Sequence, residues 1–229
     1  MDQPQQGQSA GASDDPRAKI VDALMQLAAE KPWDDFTLSD VAARAGVTLT
    51  QFRDLFPSKG AVLGAFSRRI DKIVLDGSNA DLAGEPAKER LFDVLMRRFD
   101  ALAPYKPALA HINDWALRDP LALGALNQMT LNSLRFMLEA AGIDSEGPVG
   151  ALKLQGLALT WAHLFNVWLN DDTLDQAATM AALDKDLSRG ETLVARAEQV
   201  QRFVGPLAAP LQDFAQRVFL GARRERTER

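Results

Sequence analysis

Few residues of this chain have the types and spacing that catalysis or metal binding requires. Cysteine is absent, which excludes disulfides and thiolate chemistry, and the only histidines are His111 and His163. The carboxylates of Asp171–Asp172 and Asp184–Asp186 lie after or along predicted helices, where such groups usually cap a helix or face water. No glycine-rich phosphate loop, serine elbow or metal-spaced histidine motif occurs. We therefore expect no enzyme activity, no metal and no cofactor.

The polar residues between positions 37 and 59 have types that suit contact with DNA. Thr37 and Asp40 have the Thr-x-x-Asp spacing of a capping box, and Thr48 and Ser58 stand where they can cap the following helices. Hydroxyls and helix N-terminal amides suit phosphate oxygens, and glutamine, as at Gln51, can pair with adenine. Helix capping alone would also explain the three hydroxyls, so both interpretations remain open.

The elements that hold these residues are short helices. Apolar residues at helical spacing predict a first helix from Pro16 to Lys31, a second that ends at Gly46, and a third after Thr48. Pro57 stops the third helix, and a fourth continues to about Asp76. Two short helices joined across Gly46 and covered by another form a helix-turn-helix, whose second short helix enters the major groove.

The remainder of the chain is predicted to be helical as well, so the expected fold class is all-α. No alternating strand pattern flanked by turn dipeptides appears. The predicted helices span residues 86–103, 106–118, 120–141, 149–170, 174–203 and 208–223. The corresponding domains are a disordered tail at 1–14, a helix-turn-helix domain at 15–62, a larger regulatory and dimerisation domain at 63–223, and a charged tail at 224–229.

The segment from Thr37 to Phe66, TLSDVAARAGVTLTQFRDLFPSKGAVLGAF, resembles the signature of the TetR/AcrR family of transcriptional regulators. The matching features include the Ala45-Gly46-Val47 turn and the Phe56-Pro57-Ser58-Lys59 sequence that leads into an aliphatic helix. The resemblance implies a dimeric repressor that a small ligand releases from a double-stranded DNA operator. The residues that it implies for DNA binding are Thr37, Arg44, Thr48, Leu49, Thr50, Gln51, Arg53, Ser58 and Lys59.

Two residues of the third helix depart from that family pattern. The family commonly has tyrosine followed by histidine or a basic residue where this chain has Arg53 and Asp54. Arginine can replace a phosphate contact, whereas an aspartate that faces the same phosphates is repelled. An alternative is the TetR-like fold of lipid-binding accessory proteins of ubiquinone biosynthesis, which do not require DNA. Residues 102–113 and 167–187 are reminiscent of that group.

Composition and charge are compatible with either function. The 229 residues carry a net charge of −5, but residues 17–72 hold nine Lys or Arg against seven Asp or Glu. Positive charge therefore concentrates weakly where DNA contact is predicted. No apolar stretch is long enough for a membrane span, and residues 1–16 are polar, so we expect a cytoplasmic protein without a membrane partner.

The regulatory domain is predicted to bind both a second copy of the chain and a ligand. Helix 149–170 is apolar nearly all round, so it must be covered on both sides. The resemblance implies a dimer interface within residues 149–203, and burial in a monomeric core is the alternative. A hydrophobic or amphipathic effector could bind among the middle helices, with Asn113, Asn132 or Asn166 as polar contacts. The candidate lining residues are Trp115, Met129, Phe136, Met137, Trp161 and His163, and the alternative for each is a place in the ordinary core.

Overall fold

The computed structural model describes residues 15–77, 82 and 84–190, and within these ranges it is helical with short connections. No strand occurs among the described residues, which confirms the all-α prediction. Both predicted tails, the helix at 208–223 and residues 191–203 of the predicted interface lie outside the described residues. The helices are α1 Pro16–Glu30, α2 Leu38–Ala45, α3 Leu49–Leu55, α4 Lys59–Asp76, α5 Ala87–Leu102, α6 Lys106–Ala116, α7 Pro120–Ala140 and α8 Gly147–Leu169. Residues 177–190 are helical too.

Local capping chemistry sets the ends of the first helices. The Asp15 side chain accepts a hydrogen bond from the Arg17 amide at 3.0 Å at the start of α1, and Pro16 occupies the first position of that helix. Gly46 ends α2 in the left-handed conformation, with φ at 68°. Glycine adopts this conformation without the steric penalty of a Cβ atom, so the turn between α2 and α3 depends on it.

Helix α4 connects the helix-turn-helix to the rest of the molecule. It packs against α1, α5 and α7. Val62, Phe66 and Ile70 are buried along it. The predicted domain boundary between residues 62 and 63 therefore falls inside one continuous helix. The described residues up to Asp184 belong to one compact unit, and a second unit begins at Lys185.

Helix α8 has a buried side and an exposed apolar side. Leu157, Leu164 and Trp168 are buried, whereas Leu152 and Leu159 are 59% and 76% exposed. The prediction of an apolar helix is confirmed, but the residues that the structure describes cover only one of its sides. Despite its apolar character, neither α8 nor any other described helix is long and apolar enough to cross a membrane.

The loop after α8 is organised around the buried Asp171 carboxylate. One of its oxygens accepts hydrogen bonds from the amide and hydroxyl of Thr173, at 3.2 and 2.6 Å. The other accepts from the amide and hydroxyl of Thr179, both at 2.8 Å. These bonds, the one from the Thr173 hydroxyl foremost, hold the pKa of Asp171 well below its usual range. The carboxylate thus has the structural role expected of a cap.

Candidate DNA-binding surface and ligand cavity

Helix α3 presents a polar face to solvent on a firmly packed support. Phe52 is only 1% exposed, and Phe56, which ends the helix, is also buried. Leu49 is 53% exposed, and Thr50, Gln51, Arg53 and Asp54 are exposed as well. The side chains predicted to approach bases therefore share an accessible surface that the two phenylalanines hold in place.

The N-terminus of α3 is closed by a capping box between Thr48 and Gln51. The Thr48 hydroxyl accepts from the Gln51 amide at 3.2 Å, and the Thr48 amide donates to Gln51 Oε1 at 2.8 Å. The Thr48 hydroxyl lies 3.2 Å from the same Oε1. A bidentate contact between Gln51 and adenine needs this oxygen, so it would require the box to open.

Thr37 and Ser58 are also helix caps. Thr37 and Asp40 form a reciprocal capping box at the start of α2, with the Thr37 amide 2.7 Å from Asp40 Oδ2. The hydrogen bond from the Thr37 amide is the main reason why the pKa of Asp40 lies below its usual value. Ser58 Oγ accepts from the Ala61 amide at 3.1 Å at the start of α4. Thr37 and Ser58 are exposed, so a phosphate could still reach them.

Lys59 points inward in this structure. Its Nζ donates to the carbonyl oxygens of Trp33 and Phe36, at 2.6 and 2.8 Å, and lies over both aromatic rings. Burial lowers the pKa of Lys59, and the nearby Asp34 and Asp40 charges oppose this effect. The ammonium group therefore joins α4 to the segment between α1 and α2, and it reaches a phosphate only if these contacts are released.

Arg44 is engaged in a bidentate ion pair. Its two terminal nitrogens lie 2.8 Å from the two carboxylate oxygens of Glu30 at the end of α1. The hydrogen bond from Arg44 is the main cause of the lowered pKa of Glu30. This pair fixes α2 against α1, so a phosphate would have to compete with Glu30 for the guanidinium group.

Two arginines supply positive charge around α3. Arg53 is exposed and makes no ion pair with any described residue, and the same holds for its neighbour Asp54. Arg17 was missed by the sequence analysis. It donates to the Leu55 carbonyl at 3.0 Å and lies over the Phe56 ring, so an exposed guanidinium group stands at the C-terminal end of α3. Its position at the start of an amphipathic helix gave no sign of this contact.

A cavity of about 660 Å³ lies between α4 and α7, close to the helix-turn-helix. Trp115, Met129 and Phe136, three of the six predicted ligand residues, line it. The other three lie elsewhere. Met137 is completely buried in the core, Trp161 is buried with its ring stacked on Phe99, and His163 is on the exposed side of α8.

The cavity is in direct contact with the helix-turn-helix through stacked indoles. Trp33, between α1 and α2, packs on Trp115 of α6 with ring centroids 5.0 Å apart and planes inclined by 29°. Both rings line the cavity. A second link joins α6 to α1, where His111 Nδ1 lies 2.7 Å from the Ala28 carbonyl oxygen. A molecule in the cavity would thus touch residues that position α1 and α2.

Comparison with known proteins agrees with this architecture. Residues 20–66 match the sequence model of the family described as bacterial regulatory proteins, tetR family. No curated protein sequence matches the chain. Crystal structures of two regulators share its fold at low identity. One, a TetR transcriptional regulator from Nitrosomonas europaea ATCC 19718, is 24% identical over 76% of this chain and 97% of its own, with a TM-score of 0.63.

The other is a tetR-family transcriptional regulator from Streptomyces coelicolor. It is 16% identical over 91% of this chain and 97% of its own, with a TM-score of 0.56. At these identities the likeness establishes the fold, and the family model matches residues 20–66 of the 229 residues. The helix-turn-helix segment of this chain, residues 20–66, therefore matches the sequence model of the tetR family of bacterial regulatory proteins, and the chain shares its fold with these two regulators.

Proposed function

We propose that the protein is a dimeric transcriptional repressor that binds double-stranded DNA through α3 and leaves its operator when a small molecule occupies the α4–α7 cavity. The observation that carries this proposal is the exposed face of α3, whose Leu49, Thr50 and Gln51 stand at the helix N-terminus. In a helix-turn-helix the N-terminal residues of the second helix are the ones that contact base edges. The lipid-binding alternative gains no support from the comparisons.

A dimer is proposed because one short helix reads too few bases to select an operator. The exposed side of α8 offers the surface, since Leu152, Gly156 and Leu159 lie along it. A Cβ atom at Gly156 would meet nothing within 4 Å, so the backbone is open to close approach by another helix. The same side of α8 in a second chain would bury these residues in a symmetric interface.

Release by a ligand is proposed because the cavity and the helix-turn-helix share residues. Trp33 lines the cavity and also supports Lys59, which holds the start of α4. A ligand shifts DNA affinity only if it binds the DNA-competent and the released conformations unequally, and such coupling is typically ~1–3 kcal/mol. An occupant that displaces Trp33 or Trp115 would supply this difference, since it would move the segment that orients α2 and α3.

The proposal can be tested by selecting DNA from sheared genomic fragments with the purified protein and sequencing what is retained. We expect enrichment of a short palindromic site, because a two-fold dimer reads two half-sites. A Thr50→Ala and Gln51→Ala double variant should lose the enrichment, and Arg118→Gln, an exposed change in the turn after α6, should keep it. If the wild-type protein prefers no fragment over random DNA at low salt, the repressor function is wrong and a lipid-binding role becomes the better hypothesis.

A further inference from the structure

The charges around the α4–α7 cavity restrict the ligand that it can accept, if the proposed function is correct and this cavity is the effector site. Arg68 of α4 and Arg135 of α7 line it, and both side chains are exposed. Neither guanidinium group makes a hydrogen bond or an ion pair with any residue that the structure describes. Two cations that have no partner among the described residues are thus available to a ligand.

Asp71, the single acidic residue among the described residues of the cavity lining, does not offset these cations. Asp71 of α4 pairs with Arg98 of α5 and accepts a hydrogen bond from the Ser133 hydroxyl. The Arg98 side chain is only 7% exposed, and burial, opposed by Asp71, lowers its pKa. Because Arg98 balances the charge of Asp71, the cavity presents the net charge of Arg68 and Arg135. A cationic ligand would be repelled by both.

The other end of the cavity is apolar. Trp33, Trp115, Leu63 and Leu126 line it there, next to the start of α4. Along α4, the distance from Gly60 at this end to Arg68 is about 12 Å at the helical rise of about 1.5 Å per residue. The cavity therefore has a charged end and an apolar end, and the distance between them suits a medium-length alkyl chain.

We propose that this cavity binds a single-tailed anionic amphiphile, with a carboxylate or a similar anion on Arg68 and Arg135 and the tail against Trp33 and Trp115. Guanidinium groups bind planar anions through paired, charge-assisted hydrogen bonds. The tail gains stability from removal of apolar surface from water against the two indoles. The volume of about 660 Å³ is within the range of small-molecule sites.

The test compares three amphiphiles with the same tail and different head groups: decanoate, decanol and decyltrimethylammonium. Binding to the full-length protein is measured below micellar concentrations by calorimetry and by tryptophan fluorescence. We expect decanoate to bind at least about tenfold more tightly than decanol, because its head group gains charge-assisted bonds. Decyltrimethylammonium should bind more weakly than decanol. If decanol or the cation binds as tightly as decanoate, the proposal is wrong.

Variants then test whether the two arginines cause the preference for decanoate over decanol. Arg68→Gln combined with Arg135→Gln should reduce the ratio of decanol to decanoate dissociation constants to near one, whereas Arg118→Gln should leave it unchanged. A double variant that folds and keeps the wild-type ratio would overturn the proposal. If the double variant does not fold, the salt dependence of binding to the wild-type protein decides. Added salt must weaken the binding of decanoate and leave the binding of decanol unchanged.

DNA binding by the ligand-free protein is measured in the same preparations. A protein that selects no DNA but prefers decanoate contradicts the repressor function and leaves the ligand class standing. A protein that selects DNA but binds decanol at least as well as decanoate contradicts only the ligand class. The two failures are therefore distinguishable.

Discussion

At the scale of single residues, the two neighbours Arg53 and Asp54 are expected to act on DNA affinity in opposite directions. Arg53→Gln should weaken binding to all sequences alike and reduce the salt slope by about 0.9, because a phosphate contact releases condensed counterions without reading bases. Asp54→Asn should tighten binding if its carboxylate faces the phosphates. Fluorescence anisotropy of a labelled operator at several salt concentrations measures both effects.

Arg118→Gln is the matched control for Arg53→Gln, because it removes one exposed positive charge far from α3 in sequence. It should leave the salt slope unchanged. An Arg53 variant with the wild-type slope would show that the guanidinium group does not contact phosphate. An unchanged affinity for Asp54→Asn would show that this carboxylate points away from the DNA.

A second prediction concerns Asp171, whose four hydrogen bonds close the loop after α8. Its folded pKa lies below the unfolded value of about 3.9, so its stabilisation is complete above that pH and is lost as the pH falls further. Asp171→Asn should lower the free energy of unfolding by about 1–3 kcal/mol at neutral pH, since it weakens buried bonds to a charged acceptor.

Urea unfolding between pH 7 and about pH 3 measures this difference. The gap between wild type and Asp171→Asn should narrow as the solution becomes more acidic. Asp172→Asn is the control, because Asp172 is exposed and lies next to Asp171. A gap that stays constant with pH would mean that the negative charge of Asp171 is not what stabilises the loop.

Around α2, α3 and α4, the sequence predicted the helix caps, but it did not predict which groups the long lysine and arginine side chains contact. Thr37 and Thr48 bond to residues three positions away, so their roles follow from local spacing. Lys59 reaches the Trp33 carbonyl, and Arg44 reaches Glu30 from another helix. Such contacts depend on how the helices cross, which spacing does not reveal. The two aromatic residues before α2, Trp33 and Phe36, were the only sign in the sequence that the ammonium group of Lys59 could lie over aromatic rings.

At the scale of helices, the exposed side of α8 leads to a prediction about assembly. Leu159→Asp should dissociate the dimer, because a carboxylate would be buried without a partner in the proposed interface. Leu159 is 76% exposed in the single chain, so the folded monomer should tolerate the change. Light scattering after size-exclusion chromatography should give about twice 25.0 kDa for wild type and about 25.0 kDa for the variant.

Leu174→Asp is the control for this experiment, since Leu174 is fully exposed and lies outside α8. It should remain dimeric. Leu157 and Leu164 are unsuitable for the same test because they are buried within one chain, so a charge there would unfold the monomer. A Leu159→Asp protein that stays dimeric would place the interface on another surface.

Helix boundaries were predicted closely because the signals that set them are local. Pro16, Gly46 and Pro120 stop or start helices by their own backbone geometry, and the structure has α1, α2 and α7 beginning or ending there. Helix α8 begins two residues before the predicted start, at Gly147. Which side of α8 stays open was not predictable, because its apolar residues surround the helix and only the packing distinguishes them.

At the scale of the whole molecule, the hydrogen bond between His111 and the Ala28 carbonyl is expected to transmit ligand binding. It joins α6 to α1 across the two predicted domains. His111→Ala should leave DNA affinity of the ligand-free protein nearly unchanged but reduce the ratio by which effector weakens DNA binding. Coupling depends on contacts that differ between the two conformations, so removal of one contact reduces it.

The measurement is a DNA titration by anisotropy with and without effector, with Asp114→Asn, an exposed change on α6, as the control. Asp114→Asn should keep the wild-type ratio. A His111→Ala protein that is released from DNA as effectively as wild type would exclude this bond from the coupling.

The cavity was the least predictable feature of the whole molecule. Trp115, Met129 and Phe136 line it, but Met137 is the immediate neighbour of Phe136 and faces the core. Phe136 and Met137 were both predicted from their residue types, and only the rotation of α7 against α4 decides that Phe136 lines the cavity and Met137 does not. Arg68 and Arg135 looked like ordinary exposed charges in the sequence, because their shared position depends on helices that are distant along the chain.

The stacking of Trp33 on Trp115 has an optical consequence. Two indoles whose centroids are 5.0 Å apart share their electronic excitations, and the fixed inclination of 29° between their planes makes this exchange visible as a pair of circular dichroism bands of opposite sign. An occupant that separates the rings, as proposed for the effector, should erase this pair of bands, so circular dichroism would then report whether the cavity is filled.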